Sequence, residues 1–339
     1  MRARILIGDV RSRLAELADG SVQTCITSPP YFGLRDYGHD GQIGLEPTPD
    51  DYVKELVAVF REVWRVLADD GTLWLNLGDS YAGGRPEKDK GWAEYDIERS
   101  PHLRTDGIAP KNLLGIPWRV AFALQADGWW LRQDIIWAKP NPMPESVTDR
   151  CTKSHEYLFL LSKSARYFYD HEAVEEPSVA QNEHDQTGTA RIGIPGQSDH
   201  KGNRGMSKGS SFNSGKTAVH QQERSSKRAR VENEEFTRNK RDVWTIPTKP
   251  FKGAHFAVMP EALVEPCVLA GSREGDLVLD PFAGSGTVGV VSLRHQRNFV
   301  GCELNPEYAE MAKNRITDDA PMLNEVFIDC GQSLKGAGE

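Results

Sequence analysis

The chain has 339 residues, 27% of them charged and 38% apolar, which suits a large α/β domain with an insertion. No apolar run approaches the roughly 20 residues of a membrane-spanning helix, and the opening MRARILIGDV lacks the apolar stretch of an export signal, so a cytoplasmic location without membrane contact is expected. The net charge of −8 argues against a polyanionic partner as a sum, but residues 185–241 hold 12 Lys/Arg against 6 Asp/Glu, so a nucleic acid would meet the chain there.

In chain order, ARILIG (3–8) reads as a strand ending at Asp9, and SVQTCI (21–26) as a buried strand leading into TSPPYFGLRDYG (27–38). Two consecutive prolines cannot sit in a helix or central strand, so this stretch is a stiff loop at a strand end. Residues 50–68 place Tyr52, Leu56, Val59, Phe60, Val63 and Leu67 on one face at helical spacing, with Asp50 as the expected N-cap. GTLWLNLGDSY, from Gly71, is an apolar strand. Residues 116–127 form a helix with Pro117 in its first turn. WWLRQDIIWAK (129–139) and HEYLFLLSKS (155–164) are strands, and RYFYD (166–170) is expected to pair back as a hairpin. Residues 178–241 are polar and aperiodic, a long loop or insertion of the kind that usually carries function. Beyond DVWTIPT, a helix begins near Pro260, and 276–316 reads strand, glycine-rich turn, helix, strand, turn, helix. Alternating strands and helices predict a parallel-rich, doubly wound sheet.

The glycine turn DPFAGSGT (280–287) follows the strand DLVLD and opens a helix, where backbone can approach a ligand closely. It has no lysine after its last glycine, so it is not a P-loop. The next strand, NFVGCE, ends in Glu303, whose carboxylate can accept from both hydroxyls of a ribose. Turn and carboxylate together point to an adenosine-containing cofactor. The five cysteines show no CxxC spacing, which gives neither disulfides nor a metal site. Pro266-Cys267 lies in a helix, away from the proline loop, so a cysteine-based attack on a pyrimidine ring is set aside. PCVLAG also lacks the second cysteine of a zinc deaminase.

DPFAGSGT with GCELNPEY resembles the S-adenosylmethionine site of amino-group DNA methyltransferases, TSPPY resembles their catalytic motif, and IIWAKPNPMPES (135–146) resembles a further characteristic segment. The catalytic motif precedes the cofactor motif, which is the order of the permuted beta class. The resemblance implies a Rossmann-like doubly wound methyltransferase sheet with circularly permuted motifs: a catalytic half at 1–174, a target-recognition insertion at 175–245 and a cofactor half at 246–339. It implies a catalytic set of Ser28, Pro29, Pro30 and Tyr31. S-adenosyl-L-methionine would be held by Asp9, Thr27, Asp280, Pro281, Phe282, Ala283, Gly284, Ser285, Gly286, Thr287 and Glu303. Double-stranded DNA would meet Arg35, Lys227, Arg228, Arg230, Lys240 and Arg241. No metal is implied. The host would be bacterial, archaeal or a phage, and a homodimer and a cognate restriction endonuclease stay open as partners.

The chemistry suits the loop. The lone pair of an exocyclic amine is delocalised into its ring, and acceptors on the amine protons draw the nitrogen toward tetrahedral geometry. The Ser28 hydroxyl and the Ser28 or Pro29 carbonyl can accept in this way, and Tyr31 can stack on a base extruded from the duplex. Phe32 suits either stacking or the core, and Arg35 and Asp36 suit a phosphate contact or an ion pair. Asp9 fits either the cofactor adenine or a cap at the strand end. Serine before the two prolines resembles N4-cytosine enzymes more than N6-adenine enzymes, which stay as the alternative. A non-catalytic DNA-binding protein on a methyltransferase scaffold is the reading from a different class.

Overall fold

The strand ends that carry the motifs meet in the middle of one sheet. The computed structural model describes residues 1–34, 36, 38–39, 41–83, 108–178, 237–248 and 258–331. The chain divides into two compact units, Met1–Val174 with Lys240–Glu339, and Glu175–Asn239. In the first unit lie β1 (Arg2–Ile7), α1 (Val10–Leu14), β2 (Val22–Thr27), α2 (Pro49–Val66), β3 (Leu67–Leu77), α3 (Ile116–Ala126), β4 (Trp130–Ala138) and β5 (His155–Ser162). In the second unit, β6 (Glu176–Pro177) pairs antiparallel with β7 (Thr237–Arg238). The first unit resumes with β8 (Val243–Thr245), α4 (Glu261–Gly271), β9 (Leu277–Asp280), α5 (Thr287–Arg294), β10 (Asn298–Glu303), α6 (Pro306–Asp319) and β11 (Glu325–Asp329). No helix among the described residues is long and apolar enough to cross a membrane.

Among the described residues, nine strands form one sheet in the order β11-β1-β10-β9-β2-β3-β5-β4-β8. Of these nine, β5 alone runs against its neighbours, β3 and β4. The sheet is apolar on both faces, as covered parallel strands are. One core joins it to α1, α2 and α3 through side chains such as Leu14, Tyr52, Phe60 and Val120. The other joins it to α4, α5 and α6 through Val264, Val288, Ala312 and Trp74.

Several sequence expectations change in detail. The N-cap of α2 is Thr48, not Asp50: the Thr48 hydroxyl accepts from the Asp51 N–H at 3.0 Å, and Pro49 takes the first-turn position that needs no donor. Residues 166–170 form no hairpin. The Phe168 and Asp170 N–H groups donate to the Asp70 and Ala270 carbonyls, and Tyr169 stacks on Trp74. Trp129 and Trp137 are core residues, whereas Trp130 is half exposed. The short α1 and the edge strand β11 are additions that the sequence did not announce.

Candidate active site

Strand β2 lies beside β9, with Thr24 opposite Val278 and Cys25 opposite Leu279. From β2 the chain turns through α2 on one face of the sheet. From β9 it turns through α5 on the other. A crevice opens where such connections diverge, outside the carboxyl ends of the strands. It is a cleft of about 220 Å³. Asp9, Asp280, Glu303, Thr287 and the stretch 281–285 line it, and so does the stretch from Ser28 to Tyr31. Motifs far apart in the chain therefore share one wall. Thr27 is fully buried and is not part of that wall. Its hydroxyl donates to Asp280 Oδ1 at 2.6 Å, joining residues 253 positions apart.

On the glycine side, Gly286 holds φ +77° at the start of α5, and a Cβ there would stand 2.8 Å from Ala312 Cβ. Only glycine allows both that turn and the approach of α6. Both Glu303 oxygens accept from backbone, Oε2 from Gly284 N–H and Oε1 from Asn305 N–H, each at 2.8 Å. A carboxylate has about four lone-pair sites, so acceptor capacity remains for a ligand. Burial raises the Glu303 carboxyl above its usual range despite those bonds. Burial also pushes Asp280 up to about 7, opposed by bonds from Thr27 and the Phe282 N–H and reinforced by Glu303. Arg315 on α6 donates to Ser285 and Thr287 and so braces the turn from behind.

On the proline side, the Pro30 carbonyl accepts from the buried Tyr52 hydroxyl at 2.8 Å, which pins the loop to α2. Tyr31 donates to Glu156 Oε2 at 2.8 Å. Asn76 Nδ2 lies 2.9 Å from the Tyr31 hydroxyl, 3.0 Å from Glu156 Oε2 and 3.3 Å from Ser28 Oγ. Lys139 forms an ion pair with the other Glu156 oxygen. The Tyr31 ring lies against Gly78, where a Cβ would stand 2.5 Å from Tyr31 Cε2. Burial holds the Tyr31 phenol well above its usual range, so it stays a donor. Asn76, Glu156 and Arg315 lie outside the proline loop, the glycine turn and the segment 135–146, and Lys139 lies within that segment without a role that its pattern assigns. Glu156 stands out in sequence only as an acid at the mouth of an apolar strand.

Other positions in and around these motifs resolve locally. Asp9 caps α1, accepting from the Arg11 N–H and side chain, and that guanidinium holds its carboxyl below the usual range; it also faces the cleft. Phe32 is buried against Tyr52, the core alternative. The Asp36 carboxylate accepts from the Gly38 N–H. Asn141 exchanges hydrogen bonds with the Thr248 backbone, a structural tie. Asp79 accepts from the Ser80 and Ile116 N–H groups. Lys240 lies 4.9 Å over the Trp244 ring, and the Arg241 carbonyl accepts from the Trp244 indole. Arg35, Lys227, Arg228, Arg230 and most of 175–245 lie outside the described residues.

Sheet and cleft together define a Rossmann-like methyltransferase domain. Known proteins narrow that class: residues 22–314 match the DNA methylase family of N6 and N4 methyltransferases, and the chain belongs to it. It is 47% identical to the type II methyltransferase M.SmaI of Serratia marcescens, over 92% of this chain and 90% of that protein. It is 46% identical to the type II methyltransferase M.Cfr9I of Citrobacter freundii, over 93% and 87%. Among solved structures it is similar to a putative DNA modification methylase of Thermus thermophilus, crystallised with S-adenosyl-L-methionine. The TM-score is 0.58 at 23% identity, covering 98% of this chain and 99% of that one.

Proposed function

We propose that this chain transfers a methyl group from S-adenosyl-L-methionine to the exocyclic amine of a base in double-stranded DNA, with cytosine N4 as the acceptor. The observation that carries the reading is the meeting of Ser28–Tyr31 and the glycine turn in one cleft, tied by the Thr27–Asp280 hydrogen bond. Similarity to type II methyltransferases supports it, and Ser28 before the two prolines favours cytosine.

The residues present fit a cationic adenosine cofactor. Glu303 is held by backbone with acceptor capacity to spare for ribose hydroxyls, and Asp280 adds a carboxyl to the same wall. Gly284, which lines the cleft, lets the backbone come close, and Gly286 sets the turn behind it. When bound, the cofactor supplies an electrophilic methyl on a sulfonium. Ser28 Oγ and the carbonyls of Ser28 and Pro29 accept the amine protons and stabilise positive charge developing on nitrogen. Held by Glu303 and the glycine turn, the cofactor would supply the methyl group and keep the C–S electron pair, and the methylated amine would pass a proton to water. Tyr31, its ring backed by Gly78, offers a face to the extruded base, offsetting about 1–3 kcal/mol of the cost of unstacking. Segment 175–245 reads the target, with Lys227, Arg228, Arg230, Lys240 and Arg241 neutralising phosphates and Arg35 joining them from the proline loop.

The test is mass spectrometry of nucleosides from DNA incubated with the protein and S-adenosyl-L-methionine. N4-methylcytosine is the expected product; N6-methyladenine overturns the choice of base, and no methylated nucleoside overturns the activity. Ser28→Ala and Pro29→Ala are expected to lose product while still binding the cofactor.

A further inference from the structure

The polar cluster beneath Ser28 has a direction. Glu156 is the second residue of strand β5, its side chain 14% exposed and paired through one carboxylate oxygen with Lys139, itself 16% exposed. Neither residue belongs to the proline loop or the glycine turn. An ionised carboxylate accepts hydrogen bonds and donates none. At Glu156 Oε2 both neighbours must therefore be donors, the Tyr31 hydroxyl at 2.8 Å and the Asn76 amide at 3.0 Å. That contact identifies the NH₂ end of Asn76, which also reaches the Tyr31 oxygen at 2.9 Å and Ser28 Oγ at 3.3 Å. With its one proton committed to Glu156, Tyr31 can only accept from its other neighbours. The Ser28 hydroxyl, 3.4 Å away, can donate toward it. The two Asn76 protons serve three acceptors, so Ser28 Oγ takes a shared, longer bond from Asn76 on one lone pair and keeps the second for the cleft that it lines.

We propose that Glu156 is a positioning residue for methyl transfer, acting through Tyr31 and Asn76 to hold the Ser28 hydroxyl as an acceptor toward the substrate amine. The inference rests on the activity proposed above and gives Tyr31 a task beyond stacking. A hydroxyl free to rotate could present its proton to the amine and repel its N–H; the carboxylate at the end of the chain removes that option. Lys139 anchors the carboxylate from its far side, so the chain begins at a fixed charge. Asn76 sits on β3 opposite Leu158 of β5, and Glu156 lies two positions along, so the arrangement depends on sheet register and is held by two strands. The Asn76 Oδ1 has no hydrogen-bond partner among the described residues although Asn76 is fully buried, in keeping with an amide oriented by its NH₂ end.

Two variants test this, with methyl incorporation into DNA measured under single-turnover conditions alongside S-adenosyl-L-methionine affinity by calorimetry. Tyr31→Phe keeps the ring and removes only the link. Glu156→Gln keeps the shape and lets an NH₂ face Tyr31, which reverses the chain. Each is expected to lower the transfer rate about tenfold or more, with cofactor affinity within about threefold of wild type. The double variant is expected to be no slower than about twofold below the slower single, because one chain is broken either way. A Tyr31→Phe rate within twofold of wild type overturns the inference, since a stacking ring alone would give that result. Losses that multiply in the double variant overturn it as well. Should Glu156→Gln fail to fold, as a thermal melt would show, Tyr31→Phe decides by itself. A wild-type protein that incorporates no methyl into DNA overturns the proposed activity, and this inference falls with it; an active wild type with an unimpaired Tyr31→Phe overturns the inference alone.

Discussion

Asp280 receives hydrogen bonds from Thr27 and the Phe282 N–H, yet burial with Glu303 nearby still raises its carboxyl to about 7. In the unfolded chain the same group titrates near 3.9, as an exposed aspartate does. Between about pH 4 and pH 7 the folded protein therefore holds a proton that the unfolded chain has lost. Asp280 contributes stability that is fully present below about pH 4 and is lost as pH rises through about 7. A cationic ligand in the cleft favours the ionised form, so binding should release a proton. We expect the dissociation constant for S-adenosyl-L-methionine to tighten as pH rises from 6 to 8. Asp280→Asn should flatten that trend and weaken binding at pH 8. Calorimetry across the range checks both, and an affinity independent of pH in the wild type counts against the ionised-carboxylate account. Thr27→Val, nearly isosteric, removes the bond that joins the two motifs; a loss of about 1–3 kcal/mol in urea unfolding is expected for a hydrogen bond to an ionisable group.

Among elements, the N-cap of α2 separates two readings of one stretch. If Thr48 caps, Thr48→Ala lowers stability by about 1 kcal/mol while Asp50→Ala leaves the urea midpoint unchanged. The reverse order would restore the sequence assignment. Gly286→Ala meets Ala312 and a left-handed backbone at once, so a loss of about 1–3 kcal/mol is expected together with weaker cofactor binding. What the sequence made legible follows from local signals. Helix α2 declares itself by the spacing of Tyr52, Leu56, Val59, Phe60 and Val63, and the glycine turn by its place between strand and helix. Five-residue α1 is too short for periodicity, and the edge strand EVFID lacks a sustained apolar run. RYFYD misleads because its aromatic rings suit a strand, but Tyr167 and Tyr169 pack against the second core and Phe168 lies under the Arg273 guanidinium. Asn76 and Glu156 meet through the antiparallel register of β3 and β5, 80 residues apart. No local pattern encodes a register, because neighbouring-strand contacts fix it.

At the scale of the whole molecule, a chain of net charge −8 must approach a polyanion, and its basic excess lies in 185–241. An acidic body with one basic segment confines attraction to that segment and discourages docking elsewhere. Segment 175–245 should therefore supply affinity and target choice while the sheet supplies cofactor binding and transfer. The two roles can be separated. Strands β6 and β7 bring Pro177 beside Thr237, so excising 185–235 leaves chain enough to close as a hairpin loop without stretching either strand. The shortened protein should bind S-adenosyl-L-methionine with unchanged affinity and lose sequence-specific methylation. In the full chain, each phosphate neutralised on duplex DNA should steepen log K against log salt by about 0.9. Changing Lys227, Arg228 and Arg230 together to Ala should therefore shallow that slope by up to about 2.7 units if all three contact phosphates. Specific methylation that survives the excision, or a salt slope unmoved by the triple variant, would place target reading on the acidic body instead.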